Sequence, residues 1–516
     1  MSDTSGPTAR PTPTTDAVPP APMIEGFFGS IWPEHGLGPA RLALFGSVGI
    51  GLVAAAVLPD RPIGLGVLFV LLLSGALVLI LSRVRSHRWT IAATLLSLAL
   101  GANVVTRAAE WLAVLALCVV GLLVTTALTS ARRLVALLAG PVAWVLAGLR
   151  GLPLLRRTLA ALSSNRLVWP VARTVVVSVI ALVVFGALFA SADPVVGNWA
   201  ANLVPDLGWD SLVLRVFVLV VVGGVLLAAC YLSINPPPLD NVVRLAEPRR
   251  VSRAWEWIVP VGVVVLTFLV FVIAQASVMW GGHDYVRRTT GLTYADYVHQ
   301  GFGQLTLATL LTLVTVAVTV RKAPRDTPRQ RVWLRLTLGA LCVLTLVVVA
   351  SALFRMSVYQ QAFGFTVLRL VVDAFEIWLG VLVVLVLVAG TRLRGSWLPR
   401  AALVSAATVL LALGWMNPDA WVAQHNIDRY HATGKLDTAY LSSLGPDATP
   451  TIVAGLAPDL ARCSLPRQPV LGADLLSWNL GRARAFEARV AGSDGTGTTS
   501  LEECPRGGGM PLTRPG

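Results

Sequence analysis

Between Leu42 and Met416 the sequence repeats one device: runs of about twenty apolar residues, divided by short stretches that gather the arginines. A helix needs roughly 17–25 mostly apolar residues to cross a bilayer. In lipid only helices and closed barrels satisfy their own backbone groups. Eleven segments meet or approach that length: Leu42–Leu58, Ile63–Ser82, Trp89–Val105, Trp111–Ser130, Thr174–Ala192, Ser211–Ile234, Trp257–Trp280, Phe302–Val320, Leu336–Phe354, Thr366–Gly390 and Ala401–Met416, the last being the shortest. A twelfth, Leu134–Leu149, is short, interrupted by Gly140-Pro141 and flanked by arginines. The pattern predicts an all-α fold, a polytopic transmembrane bundle of about eleven helices over residues 39–416. Charged residues make up 13% of the chain, about half the share of a soluble domain, which excludes an ordinary cytosolic enzyme and a disordered protein.

The charge balance of 41 Lys+Arg against 27 Asp+Glu has two readings, nucleic-acid binding or arginines held on cytoplasmic loops. Position decides between them. With the N-terminus inside, alternate loops carry Arg83 to Arg88, Arg132 to Arg173, Arg244 to Arg253, Arg321 to Arg335 and Arg392 to Arg400, 23 basic residues in all. The opposite loops carry only Arg61, Arg107, Arg287, Arg288 and Arg355. This alternation obeys the positive-inside rule throughout and places the C-terminus outside. A spanning Leu134–Leu149 would put all later loops on the wrong side. That segment is therefore expected at the cytoplasmic surface or as a re-entrant piece within 134–169, with Arg150, Arg156 and Arg157 toward headgroups. Nucleic acid is not an expected partner; the lipid bilayer is.

Residues 1–38, rich in Pro and Thr, predict a disordered cytoplasmic tail. From Asn417 to Gly516 the apolar runs stop, predicting a small, mostly helical extracytoplasmic domain with a flexible Gly-rich end. There, "NPDAWVAQHNIDRYHATGK" reads as a helix capped by Asn417, begun by Pro418 and stopped by Gly434. Cys118, Cys230 and Cys342 lie in apolar segments, where cysteine behaves as a small hydrophobe. Cys463 and Cys504 are the two outer cysteines, and an oxidising compartment favours their pairing as a disulfide.

No phosphate-binding loop, HExxH, CxxC, GxSxG or dinucleotide motif occurs, so no catalytic residue, metal ligand or cofactor is assigned. Charges inside membrane helices are costly, which makes them functional suspects. "TVLRLVVDAFEIWLG" holds Arg369, Asp373 and Glu376 at spacings of four and three, on one helical face. An Arg369–Asp373 pair would reduce the desolvation cost and leave Glu376 as an extra carboxylate. The cluster fits an ion relay or headgroup site, and equally a structural pair that fixes packing, the more common use. Arg215 has Asp193 and Asp210 as expected partners, or snorkels. The outer loop 281–305 is dense in polar and aromatic groups, among them Asp284, Tyr294, Tyr297 and His299, without a recognised metal spacing. Tyrosines also populate interfacial belts. Six of seven tyrosines, and the segment from Arg355 through Tyr359 to Gly364, fall on the outer side, where a ligand is expected.

"GLTYADYVHQGFGQL", "SADPVV", "RMSVYQQAFGFTVLRL" and "NPDAWVAQHNIDRY…GKLDTAYLSSLGPDA" resemble the bacterial integral membrane family called domain of unknown function 4153/4173, over roughly residues 40–460. The resemblance implies a multi-pass bacterial inner-membrane protein with an extracytoplasmic C-terminal part, and implies no activity. Three functions are expected in descending order. The first is an envelope scaffold that binds, senses or assembles, contacting an envelope lipid, a wall precursor or a membrane protein. The second is a secondary transporter using Arg369, Asp373 and Glu376. The third is a transferase on lipid-linked substrates, for which Asp193, Asp284 and His299 are the candidate bases. The oligomeric state is not readable.

Overall fold

The computed structural model describes Trp32, residues 40–151, isolated positions from 171 to 193, and residues 209–242, 251, 253–290, 302–393, 395–466 and 474–492. Among the described residues all regular structure is helical. The membrane region contains α1 (Ala40–Val57), α2 (Leu65–Leu81), α3 (Arg88–Thr106), α4 (Glu110–Thr129), α5 (Leu134–Arg150), α6 (Trp209–Ile234) and the short α7 (Leu239–Val242). It continues with α8 (Trp255–Thr290), α9 (Phe302–Lys322), α10 (Pro328–Phe363), α11 (Val367–Arg392) and α12 (Leu398–Met416). The C-terminal helices are α13 (Pro418–Thr433), α14 (Thr438–Ser442), α15 (Thr449–Gly455), α16 (Pro458–Ser464) and α17 (Leu480–Gly492).

Nine of the described helices are long and apolar enough to cross a membrane, with α2 and α5 shorter apolar helices. Their surfaces explain why. In Trp255–Ala276 of α8 only 11% of the apolar window is buried among the described residues, an exposed apolar surface that suits a lipid bilayer, as in a multi-pass membrane protein. Of the eleven expected spans, nine coincide with these helices, Ile63–Ser82 forms the 17-residue α2, and Thr174–Ala192 falls mostly outside the described residues.

Two helix groups flank a central one. Residues of α1, α2, α5 and α6 share one core, with Ala43, Leu77, Ala147 and Leu232 at its centre. Residues of α8, α9, α10 and α11 share another, built on Trp257, Val316, Leu341 and Val383. Between them α3, α4 and α12 pack through Leu100, Leu123 and Ala407. Lipid removes the hydrophobic drive between helices, so close contact requires small residues. Gly51 of α1 supplies this: a Cβ there would stand 3.1 Å from the Leu219 carbonyl oxygen and 3.2 Å from Gly223 Cα.

Several expectations require correction. The "loop" from 281 is helical through Thr290, since α8 runs 36 residues. At 1.5 Å per residue that is about 54 Å, well beyond a hydrocarbon core of about 30 Å. Hydropathy marked the part in lipid, not the end of the helix. The same holds for α10, 36 residues opened by a Thr327/Gln330 capping box, which carries Arg355 and Tyr359 in its last turns. Arg150 does not face headgroups: it is buried, its guanidinium 5.8 Å over the Trp32 ring and bonded to the Trp32 carbonyl. Trp32, from the expected tail, is itself buried and donates to the Asn235 carbonyl at 2.7 Å. In α5, the Arg133 N–H meets Asp240 at 3.1 Å, and Gly151 lies beside Tyr231, so both ends meet residues 231–240.

Candidate functional site

The C-terminal helices dock on one end of the bundle through polar groups that close open helix ends. Helix ends leave backbone groups without intrahelical partners. Asn479 serves two helices at once. Its amide donates to the carbonyls of Val104 (3.0 Å) and Arg107 (2.8 Å) at the end of α3, while its Oδ1 accepts from Gly481 and Arg482 at the start of α17. Asp447 accepts from the Ala108 N–H at 2.7 Å, just ahead of α4. Arg107 donates to the carbonyls of Gly414 and Trp415 at the end of α12. The Val367 N–H at the start of α11 donates to the Tyr440 hydroxyl at 2.8 Å, and Asn426 exchanges two hydrogen bonds with Phe365. Beneath these bonds Ala109, Leu112, Leu370 and Leu413 of the bundle form one core with Val422, Ile427 and Leu441. Asn417 sits in a left-handed conformation and makes no side-chain cap to α13, whereas Gly434 ends that helix at φ 72° as expected.

Between this cap and the bundle lies a cleft of about 1300 Å³. Its walls are the α1–α2 loop (Asp60, Arg61), the start of α4 (Glu110, Trp111), Arg215, Val367, Tyr440, Leu444 and the face of α17 bearing Arg482, Phe486 and Arg489. Four arginines thus stand among aromatic and aliphatic walls. Arg61 pairs with Asp474. Arg215 lies 3.6 Å from Asp60, which was not among its expected partners; of those, Asp193 is exposed and the side chain of Asp210 lies outside the described ones. Arg482 donates to the carbonyls of Ile63 (2.6 Å) and Ser477 (2.7 Å).

Burial governs the acids here. Asp419, 4% exposed, is pushed up to about 6, first by burial and then by the neighbouring Asp447, against the opposing Gly445 amide. Asp447 is also raised by burial, partly offset by the Ala108 and Ala109 amides. Asp474, held by Arg61, lies below the usual carboxylate value. Burial lowers Arg107 and Arg482. The cleft can therefore present fixed polar groups beside an apolar wall, an arrangement suited to binding.

The three α11 residues do not form the expected pair. Arg369 does not pair with Asp373: it donates to the Gly364 carbonyl and lies 4.5 Å over the Tyr359 ring. Asp373 instead accepts from Gln360 at 2.6 Å, and Glu376 accepts from Thr306 at 3.0 Å. Arg355 is buried and donates to Gln275. Asp193 is exposed. Asp284 lies in the helical end of α8, while Tyr294, Tyr297 and His299 fall outside the described residues. Cys118, Cys230 and Cys342 are free thiols; Cys463 is not among them, and Cys504 is outside the described residues.

Asn479, Asp447, Asp419 and Arg482 escaped sequence reasoning, because polar residues in a polar segment carry no signal of burial. Gln275 and Gln360 did carry one, as amides at the edge of apolar runs. The family model described as "Domain of unknown function (DUF4153)" matches residues 90–455, from α3 to the end of α15. No curated protein and no solved structure matches. The matched region supplies Arg107, Asp419, Tyr440 and Asp447 to the cap and cleft, and the chain belongs to this family.

Proposed function

We propose that the protein is an envelope binding or assembly scaffold of a bacterial cell membrane, whose cleft takes an amphiphile with a polar head and an apolar chain. The observation that carries this is the cleft itself: about 1300 Å³, lined by Arg61, Arg215, Arg482 and Arg489 together with Trp111, Leu444 and Phe486. That exceeds the volume of most small-molecule sites. The arginines suit a phosphate or carboxylate head, and the aromatic wall suits a hydrocarbon chain. Native mass spectrometry of the full chain, offered phosphatidylglycerol, cardiolipin and a polyprenyl phosphate, tests the reading. Retention of one lipid, reduced in Arg215→Gln and Phe486→Ala, is expected. Failure to retain any of them, with the fold intact, sinks it.

In this reading the cap and cleft are extracytoplasmic and residues 1–38 are cytoplasmic, with eleven crossings. The arginine alternation supports that orientation. The contact of both α5 ends with residues 231–240 supports an α5 that lies along one surface. A Cys463–Cys504 disulfide belongs to the same reading, resting on the expected oxidising side of the membrane. Secondary transport ranks second, resting on the carboxylates of α11. A transferase ranks last: of its three candidate bases only Asp193 has a described side chain, and it is not among the described residues that line the cleft.

A further inference from the structure

Inside the second half of the bundle stand two carboxyl groups that have no counterion among the described residues. Glu376 lies nine residues beyond the first residue of α11, about 14 Å along the axis, and is 0% exposed. Its Oε2 accepts from the Thr306 hydroxyl at 3.0 Å, while its Oε1 has no hydrogen-bond partner. One turn earlier, Asp373 Oδ2 accepts from Gln360, and its Oδ1 is likewise buried without a partner. Neither forms an ion pair among the described residues.

Among the described residues the surroundings supply no free cation. On the elements packed against α11 stand Arg369 and Asp373 of α11 itself, Arg355 and Tyr359 on α10, Thr306 on α9, Ser405 on α12 and His425 on α13. Arg369 is committed to Gly364 and Tyr359, and Arg355 is bonded to Gln275. Ser405 accepts from Trp378, and His425 stacks on Trp421. Asp373 and Glu376 are near enough for their charges to repel. Two ionised carboxylates side by side in an apolar membrane interior, neither paired with a cation among the described residues, are a costly state. One bound proton removes a charge, ends the repulsion and gives an orphan oxygen a hydrogen.

We infer that Glu376 is a reversible proton-binding site in the membrane region, held as the neutral acid with its proton on Oε1. The step is a simple dissociation, carboxylic acid to carboxylate plus proton, and needs no co-reactant. Thr306 fixes the other oxygen, and Asp373 is the neighbour whose charge the proton offsets. The site does not depend on what the cleft binds.

Dicyclohexylcarbodiimide tests this on the full chain in phospholipid nanodiscs, since it modifies protonated carboxyls in apolar surroundings. Peptide mapping should place the adduct on Glu376 of the unaltered protein. Above the site's midpoint, labelling should fall about tenfold per pH unit, as the protonated fraction does. Glu376→Gln should lose the adduct, and the pH-difference infrared spectrum should lose one carboxylic C=O band. The infrared band of the unaltered protein needs no variant, so a misfolded Glu376→Gln leaves the test intact. Absence of both adduct and band between about pH 5 and 9 overturns the site. So does protection by sodium but not by choline, which would assign a metal cation instead, and so does an adduct confined to Asp373.

Discussion

Asp419 is a carboxyl group that gains from its proton. Buried beside Asp447, it titrates near 6 rather than at its ordinary 3.8. Between those values the folded protein holds a proton that the unfolded chain has released, so stability falls as pH rises through that window and levels off above it. A shift of this size corresponds to about 3 kcal/mol. The midpoint of thermal unfolding, followed by tryptophan fluorescence, should therefore drop from pH 4 to pH 6. Asp419→Asn should flatten that part of the profile; an unchanged slope would place the titration elsewhere. At this scale the sequence was least informative. Arg369, Asp373 and Glu376 were legible as suspects because charge is rare in apolar runs. Their partners were not legible, since Gln360 and Thr306 reach them from other helices. Asp419, one residue after a proline, reads like any acid in a helix's first turn, and only the fold buries it.

Elements were more legible than residues, and the misses have one cause. Hydropathy reports where a helix is apolar, so it found the middle of α8 and α10 and missed the turns that continue beyond it. For the C-terminal helices the signals were chemical: Pro418 and Gly434 delimit α13 because one fits a first turn and the other takes the left-handed exit. The start of α17 carries a constraint of its own. A Cβ on Gly481 would lie 2.0 Å from Asp447 Oδ1 and 3.0 Å from the Ala108 nitrogen. Asp447 is held by that same nitrogen, so it has little room to retreat. Gly481→Ala should therefore lift α17 from the bundle, seen as faster limited proteolysis after residue 474. Gly224→Ala, where nothing lies within 4 Å, is the matched control and should behave as the unaltered chain. Equal proteolysis of the two variants would show that the close approach is relieved cheaply.

For the whole molecule, the number of apolar runs and the arginine alternation define an orientation that phosphatase fusions can check. Alkaline phosphatase joined after Gly516 should be active, and a fusion between residues 321 and 335 inactive; the reverse pattern would invert the molecule. An active phosphatase at the C-terminus would place Cys463 and Cys504 in an oxidising compartment. Closing a loop of about forty residues would stabilise by roughly 3–4 kcal/mol in the chain-entropy model. Non-reducing peptide maps of exported protein should show the linked pair, and two free thiols would exclude it. The general architecture was legible because lipid imposes one requirement on every span. The cleft was not, since it joins residues such as Arg61 and Asp474 that lie 413 positions apart.

That separation has a consequence for biosynthesis. Val104 and Arg107 leave the ribosome well before Asn479, which completes their hydrogen bonding and follows Arg107 by 372 positions. Until then the first hairpins sit in the membrane with their ends unsealed. A chain cut short by a premature stop would keep its apolar helices and still lack the clasp, and a quality-control protease could read that exposed end as a mark of incompleteness.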